Sequence, residues 1–190
     1  DYINKKFNGP CFCQLSVTDY IRKKDKKPFK QEEYFSNPEA FQSNFDLFSD
    51  KTDILINAAY WDPRSPRLFE EDDINENFKP KIIGDISCDI NGAIPCTKKA
   101  STIEKPFFDY CIKTKKIEEP FNKEDNITIM SIDNLPSELP RDSSRYFGNI
   151  LVEKILPLLS LEGNEIIENA TITKNGELTE KFKYLSDYII

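Results

Sequence analysis

The chain has 190 residues, of which 38% are hydrophobic and 31% charged, a balance that is typical of a folded domain and excludes a disordered segment. Its 33 acids outnumber its 26 bases and give a net charge of -7, so a polyanion such as nucleic acid is repelled on average and is excluded as a partner. The dense basic run at residues 22–27 contains no aromatic residue and indicates a solvated loop.

The first part of the chain predicts two buried strands with a helix between them. Residues 10–15 (PCFCQL) and residues 52–61 (TDILINAAYW) are largely apolar runs of strand length. Between them, a helix is expected to begin at Asn37, with Pro38 in its first turn. Its apolar face would consist of three residues at helical spacing, Phe41, Phe45 and Phe48.

Two further runs are rich in isoleucine and end in polar residues. They are residues 80–87 (PKIIGDIS) and residues 126–132 (NITIMSI). Apolar strands separated by helices or long crossings predict a parallel sheet covered on both faces, and ligands of such sheets bind beyond the carboxyl ends of the strands. The segment between the two runs is expected to hold a strand pair near residues 107–110 and Ile117.

The last part of the chain predicts helices. Residues 141–161 (RDSSRYFGNILVEKILPLLSL) carry apolar side chains three and four residues apart. A cap at Asp142 or Ser143 would begin this helix, and Pro157 would end or kink it. After a segment that fits no single period, residues 175–190 predict a final amphipathic helix.

Three aspartates follow the ends of predicted strands, namely Asp85, Asp89 and Asp133. Carboxylates at such places orient a ribose, position a cationic ring or transfer protons, but they also cap loops and helices, and the spacing favours neither role. Asn134 has the same two interpretations, as a donor to a ligand carbonyl or as the residue that closes an Asx turn. Gly92 permits a tight turn after Asp89.

Three further side chains near these positions have open roles. Tyr60 and Trp61 leave the second predicted strand and would either flank a planar ring or cover the core. Arg141 would pair with a substrate carboxylate or, as is more common for a surface arginine, with Asp142 or Glu138. The sequence contains no glycine-rich phosphate loop, Walker motif or Ser/His/Asp set.

The five cysteines are odd in number and irregular in spacing, which predicts free thiols. Because the chain has no histidine and no paired CxxC motif, no metal site is expected. No stretch approaches the roughly 20 apolar residues of a membrane span, and no signal peptide is visible. These observations exclude a membrane partner and predict the cytoplasm as the compartment.

Five segments of the chain form a recognisable pattern. In chain order they are TDILINAAYWDPRSPRLF, IIGDISCDINGAIP, ASTIEKPFFDY, MSIDNLPSELPRDSSRYFG and ATITKNGELTEKFKYL. Together they resemble the carboxyl half of the lysine-forming saccharopine dehydrogenases and of lysine-ketoglutarate reductase domains. More distantly they resemble alanine dehydrogenase and the nucleotide-binding part of transhydrogenase. Each motif alone is weak, whereas DISCD and SIDNLP at this separation are specific.

The resemblance implies an α/β fold and an enzyme. The fold would be a Rossmann-like parallel sheet with flanking helices, incomplete because its first strand and glycine loop are missing. Residues 1–160 would form a partial NAD-binding domain, and residues 161–190 a C-terminal helical segment that returns to the substrate domain. The enzyme would be an NAD- or NADP-dependent dehydrogenase that interconverts saccharopine with lysine and 2-oxoglutarate, so its partners would be a small amino acid or 2-oxo acid.

The resemblance also implies roles for single residues. Tyr60 would lie against the cofactor and Ile86 on its adenosine or ribose side. The nicotinamide would be framed by four consecutive residues, Ile132, Asp133, Asn134 and Leu135. Asp89 and Asn134 match positions beside the reacting centre in the alanine dehydrogenase pattern and are the candidate catalytic residues. Arg141 is the candidate for binding the substrate.

Two features of the family are absent from this sequence: the glycine loop, and the amino-terminal domain with its lysine and histidine acid/base pair. Their absence predicts the latter part of a protein about twice as long, which alone binds NAD poorly and catalyses nothing. Alanine dehydrogenase, acting on pyruvate and ammonia, is an alternative activity. A non-catalytic nucleotide-binding module is the alternative outside enzymes.

Overall fold

The computed structural model describes residues 8–161 and 163–188. The chain forms two compact units, of which the first extends to Leu135 and the second begins at Pro136. The predicted boundary between residues 160 and 161 therefore falls inside the second unit. The assignment of the last segment to a substrate domain remains a prediction.

Seven short strands and three short helices make up the regular structure of the first unit in the described residues. The strands are β1 (Ile21–Lys23), β2 (Phe41–Ser43), β3 (Ile54–Asn57), β4 (Ile82–Asp85), β5 (Phe107–Cys111), β6 (Lys116–Glu118) and β7 (Ile127–Met130). The helices are α1 (Val17–Tyr20), α2 (Gln31–Ser36) and α3 (Asp46–Ser49), with 3-10 turns at Pro38–Ala40 and Glu71–Asp73. Strands β1 and β2 pair with each other, and the other strands form one sheet.

The five-stranded sheet has the order β3-β4-β7-β5-β6. Strands β3, β4 and β7 run parallel, and the hairpin of β5 and β6 continues the sheet in antiparallel fashion. The strands predicted at residues 52–61, 80–87 and 126–132 are confirmed, and so is the strand pair near residues 107–110. The predicted α/β class with a Rossmann-like sheet is therefore confirmed, with an antiparallel hairpin at one edge.

One face of the sheet forms the core of the first unit. Leu55, Ile83 and Ile129 lie side by side on this face in the parallel register, and none is more than 8% exposed. Phe108 and Tyr110 of β5 extend the same buried surface. Burial of each such side chain contributes about 1.5–3 kcal/mol, so a slip of one residue in the register, which would reverse the faces, is strongly disfavoured.

The opposite face is apolar but open at β3. Ile54 and Ile56 are 60% and 64% exposed. The expectation that the sheet is covered on both faces is therefore wrong at this strand. Strand β3 is the edge of the sheet, and no described helix packs over these two side chains at its outer face.

Residues 10–15 form no strand, so that prediction is wrong. Phe12 is 84% exposed, and only Leu15 in this segment packs against the core. An apolar run becomes a strand only where another strand offers unpaired backbone N–H and C=O groups, and none pairs with it among the described residues.

The helix predicted between the first two strands is also wrong, because the chain forms a 3-10 turn, β2 and α3 there. Its three phenylalanines belong to two clusters. The ring of Phe41 packs edge-on against Phe29 and Tyr34, at centroid distances of 5.4 and 5.1 Å, whereas Phe45 and Phe48 enter the core behind the sheet. One helix face cannot reach both clusters, and the pairing of β2 with β1 fixes the extended backbone.

The second unit is mainly helical. Its longest helical stretch runs from α4 (Pro140–Ile150) through a π-helical segment (Leu151–Ile155) into α5 (Leu156–Leu159). It continues with α6 (Glu165–Ala170), β8 (Thr173–Lys174), β9 (Glu177–Leu178) and a 3-10 helix (Glu180–Tyr188). Strands β8 and β9 pair as an antiparallel hairpin.

The helix predicted at residues 141–161 is confirmed, with a π-helical segment that ends two residues before Pro157, and it continues through the proline to Leu159. Proline has no N–H to donate, and the π-helical segment lies shortly before it. The predicted cap is wrong, because α4 begins at Pro140 after Leu139 and no side chain caps it. No residue of α4 is buried, and Tyr146 and Phe147 are largely exposed.

The last segments differ partly from the prediction. The side chain of Asn164 caps α6 by accepting hydrogen bonds from the backbone N–H groups of Ile166 and Ile167. Asn175 and Gly176 both have positive φ and form the turn of a hairpin, so the final helix begins later than predicted and is a 3-10 helix. In the described part of the chain, the helices are all too short or too polar to cross a bilayer.

Candidate functional site

The carboxyl ends of β3, β4 and β7 meet at one edge of the sheet, because the three strands are parallel. In the register, the last residue of β3, Asn57, pairs with the last residue of β4, Asp85. Three segments emerge at this carboxyl edge: residues 58–61, the β4 loop (residues 86–97) and the β7 tip (residues 131–135). They contain every residue predicted to bind the cofactor and both candidate catalytic residues, namely Tyr60, Ile86, Asp89, Ile132, Asp133, Asn134 and Leu135.

Asp85 is part of the scaffold of this edge. Its side chain is 1% exposed and accepts three hydrogen bonds. They come from Asn57 Nδ2 at 2.9 Å, from Thr97 Oγ1 at 2.6 Å and from the backbone N–H of Cys88 at 3.3 Å. A carboxylate that is buried and hydrogen-bonded on both oxygens holds protein segments together, and its burial keeps it away from a ligand.

The β4 loop is fixed along its length by further hydrogen bonds. Cys88 and Asn91 both adopt φ of 53°, a left-handed conformation that non-glycine residues rarely take. The backbone N–H of Asn91 donates to the carbonyl of Thr97 at 2.8 Å, and its own carbonyl and side-chain oxygens accept from Arg67 and Lys98. The surrounding contacts therefore hold the loop in a conformation that the isolated peptide would avoid.

Gly92 permits the close turn in the β4 loop. Its N–H donates to the carbonyl of Asp89 at 2.8 Å. A Cβ at this position would lie 2.4 Å from Asp89 Cβ and 3.2 Å from Cε3 of Trp61, so any other residue clashes. Trp61 is half-buried against this turn, which favours the structural interpretation of its ring.

The β4 loop is also connected to the β7 tip. The Cys88 thiol donates to the carbonyl of Ser131 at 3.1 Å. The Ser131 hydroxyl in turn donates to the carbonyl of Lys99 at 2.8 Å, and its N–H donates to the Ser101 hydroxyl at 2.9 Å. The ends of neighbouring strands are thereby held in a fixed relation to one another.

Nearby carboxylates affect the thiol that makes this connection. Burial raises the pKa of the Cys88 thiol, and the nearby charges of Asp85, Asp133 and Asp89 raise it further. The two candidate acids of different tips, Asp89 and Asp133, therefore act on the same thiol. These two acids lie in neighbouring segments of the carboxyl edge, the β4 loop and the β7 tip.

The polar side chains of the β7 tip are available to a ligand. Asp133 and Asn134 are exposed, and neither side chain makes a hydrogen bond within the described residues. The carboxylate of Asp89 is half-buried and is likewise without a hydrogen bond in that part of the chain. Unpaired acceptors and an unpaired amide at a sheet edge are groups that a bound polar molecule can satisfy.

The apolar residues predicted to bind the cofactor differ in their exposure. Tyr60 is 92% exposed and Ile86 is 38% exposed, so both can cover a planar or apolar group. Leu135 is half-buried. Ile132 is only 6% exposed, so a ligand at this position would meet its backbone and not its side chain.

Arg141 lies in the second unit, as the second residue of α4, and is exposed. It forms no ion pair with Asp142 or Glu138 among the described residues, so the structural pairing considered from the sequence does not occur. Its role in substrate binding remains a prediction.

Sequence reasoning missed the polar residues that support the carboxyl edge, which are Asn57, Thr97, Ser101 and Ser131. The position of Asn57 could have indicated its supporting role, because an amide that ends an apolar strand must find a hydrogen-bond partner when it is buried. The other three gave no such indication, since their partners come from segments about 12 to 32 residues away.

A second charged group supports the β4 loop from outside. Lys98 Nζ lies 2.5 Å from Glu71 Oε1 and 2.9 Å from the side-chain oxygen of Asn91. The hydrogen bond from Lys98 lowers the pKa of Glu71, and Lys115 lowers it further. Glu71 thus remains ionised and anchors the lysine that holds the loop.

The cysteines are free thiols, as predicted. Cys11 and Cys13 are exposed, whereas Cys96 and Cys111 are buried. Burial raises the pKa of Cys96 to about 12, so this thiol is chemically inert near neutral pH. The described residues contain no group of three or more acidic, cysteine or histidine side chains that could hold a metal ion.

Comparison with known proteins finds relatives along most of the chain. It is 32% identical over 199 residues to the mitochondrial alpha-aminoadipic semialdehyde synthase of Mus musculus, covering 90% of this chain and 21% of that protein. It is 30% identical over 183 residues to the alpha-aminoadipic semialdehyde synthase of Arabidopsis thaliana, covering 91% and 17%.

A shorter match links the chain to a second group of enzymes. It is 28% identical over 116 residues to the saccharopine dehydrogenase [NAD(+), L-lysine-forming] of Schizosaccharomyces pombe, covering 59% of this chain and 29% of that enzyme. No protein-family model matches the chain. The chain spans about a fifth of the length of the semialdehyde synthases that it matches.

Proposed function

We propose that this chain, a homologue of the alpha-aminoadipic semialdehyde synthases and the saccharopine dehydrogenases, forms the cofactor-facing part of an NAD-dependent amino-acid oxidoreductase. The observation that carries the proposal is the cluster of Asp89, Asp133 and Asn134 at the carboxyl edge. Their side chains make no hydrogen bond in the described residues, although three supporting networks fix the backbone around them.

The residues at this edge fit a nicotinamide dinucleotide. Tyr60 and Ile86 present exposed apolar surface that would pack against its planar and ribose groups. The amide of Asn134 would bond the carboxamide of the nicotinamide, and the backbone of Ile132 with the side chain of Leu135 would frame the ring. Asp133 would accept a hydrogen bond from a ribose hydroxyl.

The proposed reaction is the interconversion of saccharopine with lysine and 2-oxoglutarate. The dinucleotide, when bound, supplies hydride transfer. Asp89 would orient the nitrogen of the substrate beside the ring, because its carboxylate is half-buried and has no hydrogen-bond partner in the described chain. Arg141 would bind a substrate carboxylate through its guanidinium group.

The proposal is supported by the names of the relatives and by the position of the edge. The Schizosaccharomyces pombe relative is named as NAD(+)-dependent and lysine-forming. Parallel strands of this kind bind their ligands beyond their carboxyl ends, where the predicted residues lie.

Energy transfer from the single tryptophan to NADH tests this function. Trp61 packs against the β4 loop, so NADH bound at the carboxyl edge would quench its emission and emit in turn. Titration of the chain should give weak but saturable transfer. The double variant Asp133→Ala with Asn134→Ala should bind NADH about tenfold more weakly, the effect of losing hydrogen bonds to polar groups.

The matched control is Asp125→Ala. It removes an exposed acid just before the amino end of β7, far from the carboxyl ends of the strands. It should leave the affinity unchanged. Transfer that does not saturate, or an equal loss of affinity in the control, would overturn the proposed function.

A further inference from the structure

We propose that Asp85 is a positioning residue of this site, which fixes the β4 loop from inside so that Asp89 faces the ligand, while Asp85 itself touches no ligand. The inference rests on the proposed function of the carboxyl edge. It assigns a separate role to the first aspartate of the DISCD motif, which the sequence alone leaves equivalent to the second.

The hydrogen bonds of Asp85 connect three different segments. Its Oδ1 accepts from Asn57 at the end of β3 and from the N–H of Cys88 at the start of the loop, and its Oδ2 accepts from Thr97 at the end of the loop. Both ends of the loop are therefore held by one buried carboxylate. Hydrogen bonds to a charged group are worth about twice those between neutral groups.

Asp85 also supports the unfavourable backbone of Cys88. A left-handed conformation at a non-glycine residue is unfavourable and persists only where the surroundings over-determine it. The bond from the Cys88 N–H to Asp85 is one such constraint, and the bond from the Cys88 thiol to Ser131 is the other. Without the carboxylate, one of the two constraints on this residue disappears.

The position of Asp89 follows from these contacts. Its neighbour Cys88 is held by Asp85, and two residues later Asn91 is held by the carbonyl of Thr97, the residue whose hydroxyl binds Asp85. The Asp89 carboxylate makes no hydrogen bond in the described residues, so the backbone alone directs it. Release of the loop would therefore move the carboxylate.

The chain offers a matched control in Asp109. This carboxylate is also buried, at 0% exposure, and it accepts from Thr128 Oγ1, Asn126 Nδ2 and the N–H groups of Phe121 and Asn122. It holds the segment that leads into the amino end of β7. Substitution of Asp109 therefore shows the effect of losing a buried carboxylate away from the β4 loop, for comparison with the loss of Asp85.

Residue-resolved amide hydrogen exchange, combined with the NADH titration, tests the inference on the whole chain. In Asp85→Ala, the amides of Cys88 and Asn91 should exchange about tenfold faster, and NADH should bind more weakly. In Asp109→Ala, the amides of Phe121 and Asn122 should accelerate instead, with the β4 loop and the affinity unchanged.

Two conservative variants keep the test decisive if Asp85→Ala does not fold. Asp85→Asn retains an acceptor oxygen for Asn57 and Cys88 and a group that can donate to the Thr97 hydroxyl, so it should restore slow exchange. Thr97→Val removes one hydrogen bond without changing the shape of the side chain, and should give an intermediate acceleration.

The outcomes separate this inference from the proposed function. If the wild type binds NADH but Asp85→Ala leaves the β4 loop and the affinity unchanged, the inference is wrong and the function stands. If the amides of Cys88 and Asn91 in Asp85→Asn exchange about tenfold faster than in the wild type, the inference is wrong as well. If the exchange pattern is as expected but the wild type binds no NADH, the proposed function fails alone.

Discussion

The two strand ends that carry acidic motifs look alike in sequence but are built differently. At the β4 loop, Asp85 is buried with three hydrogen bonds, and the following residues are fixed in strained conformations. At the β7 tip, Asp133 and Asn134 are exposed and make no side-chain hydrogen bonds in the described chain. The β4 end thus fixes a buried carboxylate, whereas the β7 end presents polar side chains that are unpaired in the described chain.

The position of each acid relative to its strand explains the difference. Asp85 is the last residue of β4 and is paired in register with Asn57, so its side chain is enclosed by the neighbouring segments. Asp133 lies three residues beyond the last residue of β7 and is outside the ladder. The acid inside the ladder is therefore bonded to the neighbouring segments, whereas the acid beyond it is exposed and unpaired in the described chain.

The largest expected effect is at the turn of the β4 loop. Gly92→Ala should destabilise the chain by about 2 kcal/mol or more, because the new Cβ would overlap Asp89 and press on Trp61. Chemical denaturation followed by tryptophan emission measures the change in the free energy of unfolding.

Gly148→Ala is the control for this substitution. Gly148 lies in α4 with no atom within 4 Å of a new Cβ, so alanine should stabilise the helix by about 0.5–1 kcal/mol. If Gly92→Ala and Gly148→Ala have similar stability, the β4 loop is not rigid.

The second largest effect is expected from acid conditions, which should weaken the support of the β4 loop by Glu71 and Lys98. The pKa of Glu71 lies below its ordinary value of 4.5 because Lys98 and then Lys115 hydrogen-bond to it. The stabilisation by this carboxylate is therefore complete above pH 4.5 and is lost as the pH falls through the lowered pKa.

Glu71→Gln tests this dependence. The variant should be less stable than the wild type at neutral pH, and the difference should disappear at acidic pH, as measured by thermal unfolding in a pH series. A constant difference between the two chains at all pH values would exclude the ion pair as its cause.

A smaller effect is expected at the connection between the two ends. Cys88→Ala removes the thiol that donates to Ser131, and should cost about 0.5–1.5 kcal/mol of unfolding free energy. Cys13→Ala is the control, because that cysteine is exposed and should be neutral. Equal stability of the two variants would show that the thiol does not join the strand ends.

The smallest effect on stability is expected at the β7 tip itself. Asp133→Ala should change the free energy of unfolding by less than about 0.5 kcal/mol, since the side chain is exposed and makes no hydrogen bond in the described residues. Denaturant titration in the absence of NADH checks this value. A marked loss of stability would mean that Asp133 belongs to the scaffold, like Asp85.

The sequence predicts the sheet better than the segments before it. The apolar runs that became β3, β4 and β7 succeed because each finds a neighbouring parallel strand and places apolar side chains in the core. Phe41, Phe45 and Phe48 mislead because their spacing is helical while their partners lie in two separate clusters. Residues 10–15 mislead because a strand also needs a partner, which the local pattern does not reveal.

The candidate site is predicted in the same uneven way. Asp89, Asp133 and Asn134 were proposed from their places after apolar strands, and the parallel strands β4 and β7 place the segments that carry them at the same edge; their roles remain a prediction. The different role of Asp85 was not predictable, because it depends on Asn57 and Thr97, which are 28 and 12 residues distant along the chain.

The central claim is that the unpaired polar groups of the two strand ends bind a nicotinamide dinucleotide. The most direct measurement is an NMR titration of the 15N-labelled chain with NADH. The largest amide shifts should fall on Tyr60, residues 86–89 and residues 132–135, while the segment held by Asp109 should not respond. Shifts that are absent, or that concentrate on residues 119–126, would contradict it.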